Sequence, residues 1–394
     1  MLAKCGRTLR ILFAAVTLIW QSTFVIADDI KPGSDNAAIH YWVAFSYCSK
    51  FAQNRNIQEA TVYETDTGFG VPVSEELARV LNGQVEYGLQ ELHRGSKLSR
   101  CDWATDFRAD GPFVRPPQGD MAHGLARVSL LRARWRFERK EWNKGIDDVV
   151  ATFILARQIG RDQYWANLHN GCMIENMCTS TISVYLLEMP ESARDYLEKE
   201  LESLPKFTPM KEAILASDEL IEWAIQAAKE ADKAGELEKF VSKLIVDDDP
   251  DELKKVMNQV GDLDGLIRKI ESVRPLVLKL AEATALAPAQ YERHFNEHFE
   301  SEFKQNPLAG ILINADAFGC RSEEGAAHCR LEALKTAIDI QRRGKSALAD
   351  HPDPYGTGPF GYEKSGTGYR LRSEFRYEGK LELEMTYGTS RRSP

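Results

Sequence analysis

The chain runs to 394 residues and carries 59 acidic against 50 basic side chains, a net charge of −9. A surface that acidic repels phosphate backbones and anionic headgroups, which argues against nucleic acid as a partner. The length suits about two domains, each able to bury a core of its own.

The opening segment is expected to be a leader. Lys4, Arg7 and Arg10 precede an apolar run from Ile11 to Trp20, and Val25-Ile26-Ala27 closes it ahead of Asp28. Basic, apolar and small-residue segments in that order form a secretory signal, assigned to residues 1–27. Gln21, Ser22 and Thr23 interrupt the run, whereas a spanning helix wants about 20 predominantly apolar residues. Cys5 lies ahead of the run and no cysteine stands at the cut, which argues against a lipid anchor. Nothing later in the chain is apolar for long enough to cross a bilayer, so no transmembrane segment is expected after cleavage. The expected location is periplasmic or extracellular.

Helical periodicity dominates the rest of the chain. Ile39, Trp42, Val43 and Tyr47 share a face between Asn36 and Phe51. Ser74-Glu75-Glu76 opens a helix expected to run through Leu92, with a capping hydroxyl and acids in its first turn. A Gly-, Pro- and Asp-rich loop separates Cys101 from Gln118. Helices then run from Met121 to Arg139 and from Trp142 to Ile159, joined so briefly that they must be antiparallel neighbours. Small residues at Ala133 and Gly145 give this hairpin a tetratricopeptide-like look, without a clean second copy.

Pro190 starts the helix that ends at Leu204, and Pro205 and Pro209 mark a boundary. Further helices are expected from Met210 onward, from Leu263 to Ala285, from Pro288 to Gln305 and from Ser322 to Arg343. Asp247-Asp248-Asp249-Pro250-Asp251-Glu252 looks like a cation loop but lacks EF-hand spacing; Asp249 and Glu252 read as a capping box around Pro250. After the turn-rich stretch from Pro352 to Pro359, apolar and charged residues alternate along Tyr369–Tyr377 and Leu381–Tyr387. That period of two marks a hairpin. A three-residue loop sets Tyr377 opposite Leu381 and Arg376 opposite Glu382, which keeps the two faces distinct. The fold is therefore expected to be mostly α, an array of antiparallel helix hairpins with a small C-terminal β-hairpin. Its expected units are an N-terminal helical domain over 28–205, a C-terminal helical domain over 206–345 and a tail over 346–394.

Cys101-Asp102-Trp103 with Gly111-Pro112, Leu155 to Gly160, and Asp353-Pro354-Tyr355 with Pro359 to Tyr362 resemble a group of exported helical proteins of the planctomycete type. The resemblance spans roughly Asn36 to Tyr387 and is specific only at those motifs. It implies a helical fold and an exported location, and it carries no catalytic residues because the group has no assigned activity.

Few residues suggest chemistry. Cys48, Cys101, Cys172, Cys178, Cys320 and Cys329 come after the leader, and an even count in an exported chain reads as a disulfide framework of open connectivity. Cys320 and Cys329 flank Arg321 to Gly325, read as a loop that a local bridge could close. Cys172 and Cys178 could pair only if their helix breaks between them. The absence of C-x-x-C removes thioredoxin-like chemistry and covalent haem. His294 and His298 stand four apart, the spacing with which a helix presents two metal ligands, and Glu302 extends the row. The same row flanks Tyr291, Phe295, Phe299 and Phe303, an expected core stripe at whose edge imidazoles also serve structurally. His123, His169 and His328 look isolated, and Thr67 to Gly70 reads as a turn. The preferred reading is an exported, non-catalytic scaffold that binds a protein or peptide and needs no cofactor. The alternative is a metal-dependent hydrolase that holds a divalent metal on His294 and His298.

Overall fold

The structure, a computed structural model, describes residues 35–52, 73–106, 111–113, 117–161, 165–244, 250–313, 317–377 and 381–388. The expected leader, the Thr67 to Gly70 turn and the Asp249 cap lie outside the described residues. Helices dominate: α1 (Ala37–Ala52), α2 (Glu75–Leu81), α3 (Glu86–Ser96), α4 (Gln118–Glu138), α5 (Trp142–Ile159), α6 (Trp165–Tyr185) and α7 (Glu191–Glu202) come first. Shorter ones come next: α8 (Met210–Leu215), α9 (Ser217–Lys233), α10 (Leu237–Leu244), α11 (Pro250–Val260), α12 (Leu263–Glu271) and α13 (Arg274–Ala283). Then come α14 (Pro288–His298), α15 (Glu300–Gln305), α16 (Pro307–Leu312) and the long α17 (Ala317–Arg343). Three strands close the chain: β1 (Gly361–Ser365), β2 (Gly368–Tyr377) and β3 (Leu381–Tyr387).

The α4–α5 hairpin forms as expected, and its joint explains why. Lys140 takes a positive φ of 61°, the amide of Glu141 donates to the Arg136 carbonyl, and that of Lys140 donates to Phe137. Those two bonds satisfy the orphan carbonyls at the end of α4 and turn the chain back on itself. Gly145 then lets α5 lie directly on the Phe137 ring, where a Cβ would stand 2.4 Å from the ring. Helix α6 packs on both α4 and α5, and α17 packs on α6.

Several expected long helices are broken. Asn82 and Gly83 separate α2 from α3, the Asn82 side chain turning back to the Ala78 carbonyl at 2.8 Å. Pro275 cannot donate to the preceding turn, so α12 ends at Glu271 and α13 restarts with the proline in its first turn. The opposite happens in α17. The segment Arg321 to Gly325, read as a bridgeable loop although a helix was expected from Ser322, lies wholly within a helix of 27 residues.

That continuity removes the expected disulfides. Cys320 and Cys329 sit on one straight helix, nine positions and roughly 13 Å apart, beyond the roughly 7 Å that a bridge tolerates. Cys172 and Cys178 lie on the unbroken α6, so they cannot meet either. Cys48 is buried on α1 and Cys101 is half-buried after α3. All six remain thiols and none is in a disulfide.

Two buried clusters make the core. One joins α1, α3 to α7, the later turns of α17 and the sheet; the other joins α8 to α16 with Leu168 and Cys172 of α6 and Cys320 and Ala327 of α17. Helices α6 and α17 therefore serve both. The sheet has order β1-β2-β3, all antiparallel, one strand more than expected. Tyr377 opposes Leu381 and Arg376 opposes Glu382, as the alternation requires. The register shifts between Arg372 and Arg376. Asp353 fills that irregularity: its buried carboxylate accepts from the Ser373 hydroxyl at 2.7 Å and the Glu374 amide at 2.6 Å.

Candidate functional site

A cavity among the described residues lies between α5, α6 and α17. Its volume is about 310 Å³, and Arg157, Glu175, Phe207, Arg321, Glu324, His328, Leu331 and Tyr355 line it. A close helix crossing builds one wall. Gly171 lets α6 approach α5 so tightly that a Cβ would stand 2.6 Å from the Ala156 carbonyl. One residue past that contact, Arg157 donates from Nε to Glu175 Oε1 at 3.0 Å, and from Nη1 to the Pro205 carbonyl.

Helix α17 supplies the facing wall. Arg321, Glu324, His328 and Leu331 recur at spacings of three and four, which sets them along one helical face. Arg321 donates to Glu324 at 2.9 Å and to the Leu286 carbonyl at 3.0 Å, while Glu324 accepts the Met210 amide at 3.0 Å. Tyr355 closes the third side, with its ring 6.0 Å from His328 and 5.1 Å from Phe375.

The electrostatics are unusual for so small a space. Burial pushes the Glu175 carboxyl above the usual range, and Arg157 only partly offsets it. Desolvation lowers the His328 imidazole below its ordinary value. One donor at the cleft lacks a partner within the protein: Arg321 Nε–H is buried without one. Such groups are rare in folded proteins and point to a missing ligand or water.

A second charged cluster joins α3, α4 and α5. Asp148, with no exposed surface, accepts from Arg132 Nε at 3.0 Å and Nη2 at 2.6 Å, from Arg136 at 2.9 Å, and pairs with His93 at 2.8 Å. Arg132 also reaches Glu86 at 2.7 Å. Every group here is engaged with another. It ties helices together.

The expected metal pair does share a face of α14, its rings 4.5 Å apart, with His294 half-buried and His298 exposed. His294 also meets the edge of Phe299. Glu302 lies beyond the break at Phe299, on α15, where it pairs with Lys279 at 3.3 Å. No group of three metal-capable side chains forms among the described residues. Protein zinc sites use three or four such ligands. His123 and His169 come within electrostatic reach of each other, and desolvation with Arg127 lowers His123 to about 4.

Sequence reasoning treats His328 as isolated and passes over Arg157, Glu175, Arg321 and Glu324. The i, i+3, i+7 row on α17 is visible only if Arg321 to Gly325 is read as helix. Among the described residues, no helix is long and apolar enough to cross a membrane. No family model matches this chain, and no curated protein or solved structure matches it.

Proposed function

We propose that the protein is an exported, non-catalytic helical binding protein, and that the cleft between α5, α6 and α17 receives part of a peptide or protein partner. The supporting observation is the composition of that cleft. Phe207, Leu331 and Tyr355 offer apolar surface while two guanidiniums stand at its walls, in a volume suited to a small ligand group. Both lining carboxylates already accept from a guanidinium, so neither is poised as a general base. No serine, threonine or cysteine lines the cavity to act as a nucleophile. Export rests on the order of basic, apolar and small residues in the leader.

Thermal melting of the mature protein against separate panels of short peptides, amino acids and sugars tests the reading. A rise in melting temperature with peptides, absent from a Leu331→Trp variant whose larger side chain fills the cleft, is the expected result. Wild-type melting unmoved by every panel would remove the cleft as a receptor site.

A further inference from the structure

The cleft leaves one of its guanidinium donors without an acceptor. Arg157 and Arg321 supply two permanent positive charges. Glu324 answers one of them, at 2.9 Å from Arg321. Glu175 answers the other, accepting from Arg157 Nε at 3.0 Å. Arg321 keeps a further donor in reserve: its Nε–H is buried and meets no acceptor in the protein. A guanidinium N–H makes its strongest hydrogen bond to an anionic acceptor such as a carboxylate oxygen.

The rest of the wall defines the remainder of the ligand. Phe207, Leu331 and Tyr355 face the same space, so the group beside the charge is apolar. An ammonium would need a carboxylate of its own. Glu175 and Glu324 are both engaged by guanidiniums, and Glu324 also holds the Met210 amide.

Resting on the binding role proposed above, we infer that the cleft recognises an apolar carboxylate, its anionic group held by Arg321 and its apolar body against Phe207, Leu331 and Tyr355. The carboxy-terminal residue of a peptide has this chemistry, and so does a free apolar acid. A cavity of about 310 Å³ holds one such residue rather than a long segment.

Calorimetric titration of the mature protein separates these cases with three probes: a tripeptide ending in a phenylalanine carboxylate, the same tripeptide as its amide, and 3-phenylpropionate. The tripeptide acid is expected to bind, and the amide at least about tenfold more weakly, because a charge-assisted bond is lost. Arg321→Gln is expected to abolish the difference between acid and amide. If that variant does not fold, Leu331→Trp serves instead and is expected to lose binding of both acids. Phenylpropionate binding as tightly as the tripeptide acid would assign the site to a free acid, which supports carboxylate recognition and overturns the peptide source. Equal binding of acid and amide would overturn carboxylate recognition and leave the binding role standing. Binding of none of the three, beside a melting shift with some other compound that Leu331→Trp abolishes, would overturn this ligand class alone.

Discussion

Asp148 is wholly buried and nevertheless holds its charge. Burial alone would push its carboxyl up, but Arg132, His93 and Arg136 surround it and keep it below the usual carboxylate range. Such a cluster ties α3, α4 and α5 together through groups that cannot be removed singly. Asp148→Asn leaves Arg132 buried without its main counter-charge, and is expected to cost about 3–5 kcal/mol in urea unfolding. An exposed pair such as Arg372 with Glu363 on the outer face of the sheet should cost under about 1 kcal/mol when broken. The cysteines behave as small apolar residues. Burial pushes the Cys48 and Cys329 thiols up to about 12, and raises Cys172 and Cys178 as well, so few thiolates form to react. Thiol titration should find Cys48, Cys172, Cys178, Cys320 and Cys329 unreactive in the folded protein and reactive in guanidinium. Fewer reactive thiols after unfolding, recovered by a reductant, would reveal a disulfide.

At the scale of elements, two glycines decide how closely helices pack. Gly145 seats α5 on Phe137, and Gly171 seats α6 on α5. Gly145→Ala places a methyl group where the Phe137 ring already lies. The overpacked hairpin is expected to lose about 1–3 kcal/mol, measured as a lower urea midpoint with an unchanged slope. Gly171 matters for the cleft as well, since the crossing it permits brings Arg157 to Glu175. The sheet shows a comparable fit. Strand β2 packs on α17 and buries Tyr369, Leu371 and Phe375, and Asp353 satisfies the backbone that the irregular register exposes. The short motifs behind the family resemblance mostly serve such packing. Trp103 stacks on Tyr41 and Phe45 and donates to the Gln158 carbonyl at 3.1 Å. Arg157 and Tyr355 are the exceptions, because both line the cleft.

At the scale of the molecule, the two cores share α6 and α17, which makes their stabilities interdependent. Acid should expose this. Hydrogen bonds from Arg343 and His351 hold Asp339 down at about 2, against the opposing effect of burial, and Asp148 is also depressed. Burial opposes the lowering of Glu91, but His40 and Arg94 prevail. A carboxyl depressed on folding lends stability above its unfolded value, near 4, which is lost as pH falls through its folded value. Glu175 is raised instead, so it favours the folded state at low pH and loses that effect as pH rises through its folded value. The depressed groups outnumber it. Urea midpoints are expected to fall steadily between about pH 4 and pH 2, and a flat profile there would contradict the assigned ion pairs.

The helical class, the α4–α5 hairpin and the register of the final hairpin were all legible in the amino-acid sequence. Each follows from local rules: apolar spacing of three and four, a short joint, and alternation with a period of two. The third strand was missed because Gly361–Ser365 is mostly exposed and carries little alternation. The run from Arg321 to Gly325 reads two ways, as a loop between two cysteines and as the start of a helix at Ser322. Polar residues and a glycine look like a loop in isolation, yet Gly325 is buried where Phe375 and Pro288 leave no room for a Cβ, so packing keeps the segment helical. The cleft itself could not be read locally. Its residues come from α5, α6, the stretch after α7, α17 and the connector before β1, and lie up to 198 positions apart between Arg157 and Tyr355. Spacing along a chain reports which residues share a helix face, but which faces meet depends on how the buried clusters pack, and only the tertiary structure decides that.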